Sequence, residues 1–125
     1  MKKIFIHCRL PDKDLKKLKN NFVLRVHSSK NIILTENDFF KKAAGFNGVI
    51  SQGNIIGKNF IEANKETLSV ISNVGVGYDN IDIEAATKNG VAVFNTPNLM
   101  NHAVADLTLG LIISLIRKIC DGNEY

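Results

Sequence analysis

The sequence is poor in residues that staple a chain or carry it across a membrane. Only two cysteines occur, Cys8 and Cys120, near opposite ends of 125 residues. Two cysteines so placed make no disulfide framework, and a reducing cytoplasm suits them best. Cys8, closing an apolar run, reads as a small buried core residue. Long apolar stretches are also missing. Ile4, Phe5 and Ile6 run straight into His7 and Arg9, so Met1-Lys2-Lys3 does not open a secretory leader. Leu107 to Ile116 is interrupted by Thr108, Gly110 and Ser114, and it is far shorter than the ~20 residues of a membrane span. There is no internal repeat, low-complexity stretch or linker. Charge of one sign is not concentrated either: 16 Lys+Arg against 12 Asp+Glu gives +4. Lys13, Lys16, Lys17 and Lys19 fall on the solvated face of a short helix whose Leu15 and Leu18 face inward. Without an Arg-rich stripe or interleaved aromatics, no nucleic-acid or membrane partner is expected.

What is present is an ordinary globular composition, 45% apolar and 22% charged. The length fits one domain, and such a domain buries roughly two thirds of its unfolded surface. Short β-rich runs alternate with helical patterns. Strands are expected at 3–8, 22–27, 48–51, 68–74 and 91–94. Helices are expected at 11–20, 37–44, 58–64, 83–88 and about 102–119, with Asp82 as an N-cap and Gly90 as a stop. Strict alternation predicts an α/β fold, a doubly wound five-stranded parallel sheet with helices on both faces and flavodoxin-like strand order. Near-continuous apolar strands predict burial on both sides.

Ligands of such a sheet bind at the carboxyl ends of its strands. The loop after the first strand, Arg9-Leu10-Pro11-Asp12, lacks the Ser, Thr and Gly of a flavin-phosphate loop and the paired acids of a phospho-receiver. The loop after the third strand, Ser51 to Asn59, mimics a P-loop, but Gly53 and Gly57 are one residue too close and Asn59 replaces the Ser/Thr that would hold magnesium. The loop after the fourth strand carries Gly75-Val76-Gly77. Two glycines there predict a sharp turn with no Cβ in the way of a ligand, and successive N–H groups in such a turn form a nest for a small carboxylate. Asn80 stands where a dinucleotide fingerprint needs its third glycine, so this is not one. Asp79, Asn80 and Asp82 read as turn and cap residues. The last helix places Asp106, Gly110, Ser114 and Arg117 on one stripe and is apolar elsewhere, so it is patterned for burial on most sides.

At these residues the sequence resembles the D-isomer-specific 2-hydroxyacid dehydrogenases. The matching segments are Val70-Ile71-Ser72-Asn73-Val74-Gly75-Val76-Gly77-Tyr78-Asp79-Asn80-Ile81-Asp82, then Gly90-Val91-Ala92-Val93-Phe94-Asn95-Thr96-Pro97, then Val104-Ala105-Asp106 leading to Arg117. The wording is most similar to the glyoxylate/hydroxypyruvate and 2-ketoaldonate reductase branch. The resemblance implies that the N–H groups of Val76 and Gly77, beside Gly75, hold a 2-oxoacid carboxylate. It implies that Gln52, Gly53 and Met100 wall the cleft, and that Val104 and Thr108 approach the nicotinamide side. Asp106 stands where the family commonly has an acidic residue and is read as structural. The family's Rossmann fingerprint and its catalytic Arg, Glu and His have no counterpart here; His7, His27 and His102 are poor candidates for the acid.

The resulting expectation is a substrate-binding domain at 1–100, with a helix at 101–125 crossing toward a nucleotide-binding domain the sequence does not contain. NAD or NADP would serve the full-length enzyme without binding tightly to this chain alone. No catalytic residue and no metal ligand is assigned, and the chain alone is expected to be inactive toward NADH. A homo-oligomer formed through the terminal apolar helix is expected, and the alternative function is a non-catalytic module of flavodoxin-like fold that dimerises through that helix.

Overall fold

The computed structural model describes residues 1–27 and 33–124. All ten expected elements form: β1 (Lys3–His7), α1 (Asp12–Lys19), β2 (Val23–Val26), α2 (Glu36–Ala43), β3 (Gly48–Ser51), α3 (Lys58–Ala63), β4 (Val70–Asn73), α4 (Ile83–Lys88), β5 (Ala92–Phe94) and α5 (Asn101–Ile116). The strands make one parallel sheet in the order β2-β1-β3-β4-β5, the flavodoxin-like order.

That order fixes which helices share a face. The step from β1 to β2 runs one way along the sheet and the later steps run the other way. Right-handed crossovers therefore put α1 on one face and α2, α3 and α4 on the other. On the second of these faces Phe5, Val49, Ile71 and Val93 lie in register. They pack with Phe39, Phe60, Ile61, Ala85 and Ala86 as the core, where Phe39 meets both Phe5 and Phe60 edge-on.

The other face is less covered than the apolar strands predict. The row Ile6, Ile50, Ser72 and Phe94 is in register across four strands. Along it burial falls from complete at Ile6 to 60% exposure at Phe94. Burial on both sides of the sheet thus holds near β1 only, because α1 is short and α5 buries no side chain.

Four local expectations are corrected. β4 begins at Val70, since the Leu68 N–H is taken by the Asn64 carbonyl at 2.8 Å and never joins the ladder. β1 ends at His7, leaving Cys8 half-buried outside the strand. α2 starts one residue early, because the Thr35 hydroxyl accepts the Asp38 N–H. α5 stops at Ile116: Lys118 turns left-handed (φ 51) and the Ile119 N–H reaches back to the Ser114 carbonyl, a Schellman ending without its usual glycine. Asp82 caps α4 as expected, accepting the Ala85 N–H at 2.8 Å.

Candidate functional site

Three adjacent strands end in a polar residue on the core face: His7, Ser51 and Asn73, in register and all buried. Buried polar groups need partners, and Asn54, fully buried in the loop after β3, supplies them. Its amide nitrogen donates to the Ser51 hydroxyl at 2.7 Å and lies 2.8 Å from His7 Nδ1; its side-chain oxygen accepts the Leu34 N–H at 2.7 Å. The Asn54 carbonyl accepts from Asn80 Nδ2 at 2.8 Å. Asn80 thereby ties the loop after β4 to the loop after β3, and the Ile56–Ile81 bridge reinforces the tie. His7 stacks on His27 with ring centroids 5.3 Å apart. Burial lowers the His7 pKa from its ordinary 6.5, with His27 and Lys42 adding to the shift. Burial also raises the Cys8 thiol, which disfavours a reactive thiolate there.

The Gly75–Gly77 turn sits at the edge of this network, and each of its carbonyls is held from behind. The Gly75 carbonyl accepts from Thr96 N at 2.9 Å. The Val76 carbonyl accepts from Asn95 Nδ2 at 2.8 Å, and the Gly77 carbonyl from Asn73 Nδ2 at 2.7 Å. The Gly75 N–H donates to Thr96 Oγ1. The N–H groups of Val76 and Gly77 have no acceptor among the described residues, and both residues are exposed. Two adjacent free donors on a fixed, solvent-facing turn are suited to a small anion.

Of the two reasons the sequence suggests for the glycines, a sharp turn and the absence of a Cβ before a ligand, the first does not hold. Neither Gly75 nor Gly77 has a positive φ, so the turn itself does not demand them. A Cβ on Gly77 would meet nothing within 4 Å. What glycine leaves there is open space beside the donors. Among the expected site residues it is Gly53, at φ 70, whose backbone needs glycine.

The remaining expected site residues are spread more widely. Gln52 and Gly53 are exposed on the loop that Asn54 anchors. Met100, at the start of α5, and Val104 in its first turn are 57% and 56% exposed. The Thr108 hydroxyl bonds back to the Val104 carbonyl within the helix at 2.7 Å. No hydrogen bond among the described residues joins α5 to the turn. His7, Asn54, Asn73 and Asn95 are site residues that the motifs of the sequence do not mark. The available signal was three consecutive parallel strands each ending in a polar residue. A cleft of about 290 Å³ adjoins the turn, lined by Tyr78, Ile83, Phe94 and Asn95 among others. Among the described residues no helix is long and apolar enough to cross a membrane.

Known proteins share this fold. A protein of Staphylococcus aureus strain USA300, provisionally named a 2-hydroxyacid dehydrogenase, is 32% identical over 125 residues, 99% of this chain and 39% of its own length. The TT0316 protein of Thermus thermophilus has a solved structure that superposes with a TM-score of 0.85 at 30% identity, over 98% of this chain and 39% of its own. The NAD⁺-bound 3-phosphoglycerate dehydrogenase of Entamoeba histolytica superposes with a TM-score of 0.59 at 27% identity, over 90% of this chain and 38% of its own. The chain therefore spans about two fifths of the length of the relatives it matches. The family model for the D-isomer specific 2-hydroxyacid dehydrogenase catalytic domain matches residues 4–115, and the chain belongs to that family.

Proposed function

We propose that this chain is the substrate-holding portion of an NAD- or NADP-dependent oxidoreductase of small 2-hydroxy acids. It would grip a 2-oxoacid such as glyoxylate or hydroxypyruvate by its carboxylate. The observation that carries this reading is the turn: three carbonyls tied from behind and the N–H groups of Val76 and Gly77 left facing solvent. Charge-assisted bonds to two preset donors suit an anion and cost little reorganisation. Gln52, Gly53 and Met100 are assigned to the cleft wall, and Val104 and Thr108 to the nicotinamide side.

A nicotinamide cofactor supplies hydride to such reactions. The residues of this chain do not make a dinucleotide site, since Asn80 occupies the third glycine position and α4 behind it has only six residues. Purified chain should therefore not oxidise NADH with glyoxylate.

The test is an amide NMR titration of the chain with glyoxylate. Two preset donors should give millimolar binding, about −4 kcal/mol, with the Val76 and Gly77 amides moving furthest. If those two amides stay put while others respond, the carboxylate reading fails.

A second reading is favoured by α5, whose Leu107, Leu111, Leu115 and Ile116 are all more than half exposed. An apolar face this large is rarely left bare, and a second copy of the chain packed along it is the corresponding proposal.

A further inference from the structure

We propose that Asn54 positions the carboxylate-binding turn through Asn80 and Asn73, and that a proton on His7 releases it. This rests on the reading of the turn given above only for its effect on affinity; the coupling itself stands on the hydrogen bonds.

The direction of the His7 bond is fixed by its neighbour. Asn54 Oδ1 is committed to the Leu34 N–H at 2.7 Å, so the amide nitrogen faces His7 Nδ1 at 2.8 Å. A nitrogen that faces an N–H donor must present its lone pair, so His7 Nδ1 is unprotonated in this arrangement. A proton there would set two donors against each other. Turning the Asn54 amide over would satisfy His7 but oppose the Leu34 N–H. Either way a bond is lost at a residue with no solvent exposure, and the loop must adjust.

The adjustment has a short route to the turn. The Asn54 carbonyl holds Asn80 Nδ2 at 2.8 Å, the same nitrogen lies 3.5 Å from Asn73 Oδ1, and Asn73 Nδ2 holds the Gly77 carbonyl at 2.7 Å. A backbone route runs beside it: Ile56 N to the Asn80 carbonyl, and Val74 N to the Ser51 carbonyl, both at 2.8 Å. Both routes run from the end of β3 and the loop that Asn54 anchors to the segment that carries the turn. Asn54 touches no proposed ligand donor itself, so it is a positioning residue.

Among the described residues, the titratable and charged groups that face His7 are His27, just after β2, and Lys42, on α2. β3 and its loop present only the uncharged Ser51 and Asn54. Burial foremost, and then His27 and Lys42, oppose a charge on His7, so the proton arrives only below 6.5. The neutral, bonded state is the favoured one above that value and is lost as pH falls through the lowered native one.

The predicted sign runs against simple electrostatics. Acidification adds positive charge at histidines, which by itself tightens anion binding. Release of the turn weakens it. Glyoxylate stays ionised from about pH 5 to about pH 8, the range in which histidines titrate, so it reports the protein alone. Between these limits the chain should bind glyoxylate roughly tenfold more weakly at the acid end. His7→Asn, which keeps an acceptor near Nδ1 but cannot titrate, should abolish the weakening. His27→Asn should preserve it.

A ligand-free measurement covers the case in which His7→Asn does not fold, or in which glyoxylate does not bind. In wild-type chain the Gly77 amide and the Asn54 and Asn80 side-chain amides should titrate together with the His7 ring, at one midpoint below 6.5. Such co-titration without glyoxylate binding would support the latch and refute the carboxylate reading. Amides that ignore the His7 midpoint, or glyoxylate binding that tightens steadily toward acid, would overturn the latch whatever the turn binds.

Discussion

Replacing Asn54 by alanine should cost far more than its size suggests. The change removes contacts to Leu34 N at 2.7 Å, Ser51 Oγ at 2.7 Å and His7 Nδ1 at 2.8 Å, all around a fully buried side chain. A typical hydrogen bond contributes about 1 kcal/mol net, and a stranded buried donor such as the Leu34 N–H costs about 1–3 kcal/mol. Water entering the space recovers part of this, so a total loss of about 2–4 kcal/mol is expected. A domain has only about 5–15 kcal/mol in all. Asn47 is the matched control. It also accepts one backbone N–H, from Lys3 at 2.8 Å, and donates to a backbone carbonyl, Thr67 at 3.1 Å, but both bonds lie at the surface. Water replaces them there, and Asn47→Ala should cost less than about 1 kcal/mol. Urea unfolding with a shared m-value measures both variants. Equal losses, or a loss below about 1 kcal/mol for Asn54→Ala, would show that burial of the network is not what makes it strong.

Two further outcomes separate position from residue type. Gly53→Ala forces a Cβ into φ 70 and should lose about 1 kcal/mol or more. Gly77→Ala meets no neighbour within 4 Å and should leave stability unchanged or slightly raised while weakening glyoxylate binding; the thermal midpoint and the NMR titration read the two effects separately. On α5, exchanging the exposed Leu111 and Leu115 for glutamate should convert a self-associating chain to a monomer in sedimentation experiments. A wild-type chain that is already monomeric at high concentration would remove the second-copy reading.

The alternation of apolar runs and helical patterns was enough to predict all five strands, the five helices and the flavodoxin-like order, because a parallel sheet admits few right-handed ways to connect them. The Gly75–Gly77 turn was legible as an anion nest and as the family's segment, since both rest on contiguous residues. Three things were decided only by tertiary structure. The bare half of the sheet face that α1 covers followed from where α5 goes, and apolar strands look the same whether or not a helix returns to cover them. The end of α5 was set by a left-handed Lys118, a residue type that does not announce such a turn. The support of the site came from His7, Asn54, Asn73, Asn80 and Asn95, separated along the chain and joined only when parallel pairing brings the strand ends side by side. Sequence patterns report periodicity and local chemistry; a hydrogen bond such as His7 to Asn54, 47 residues apart, exists only once the fold has set the distance.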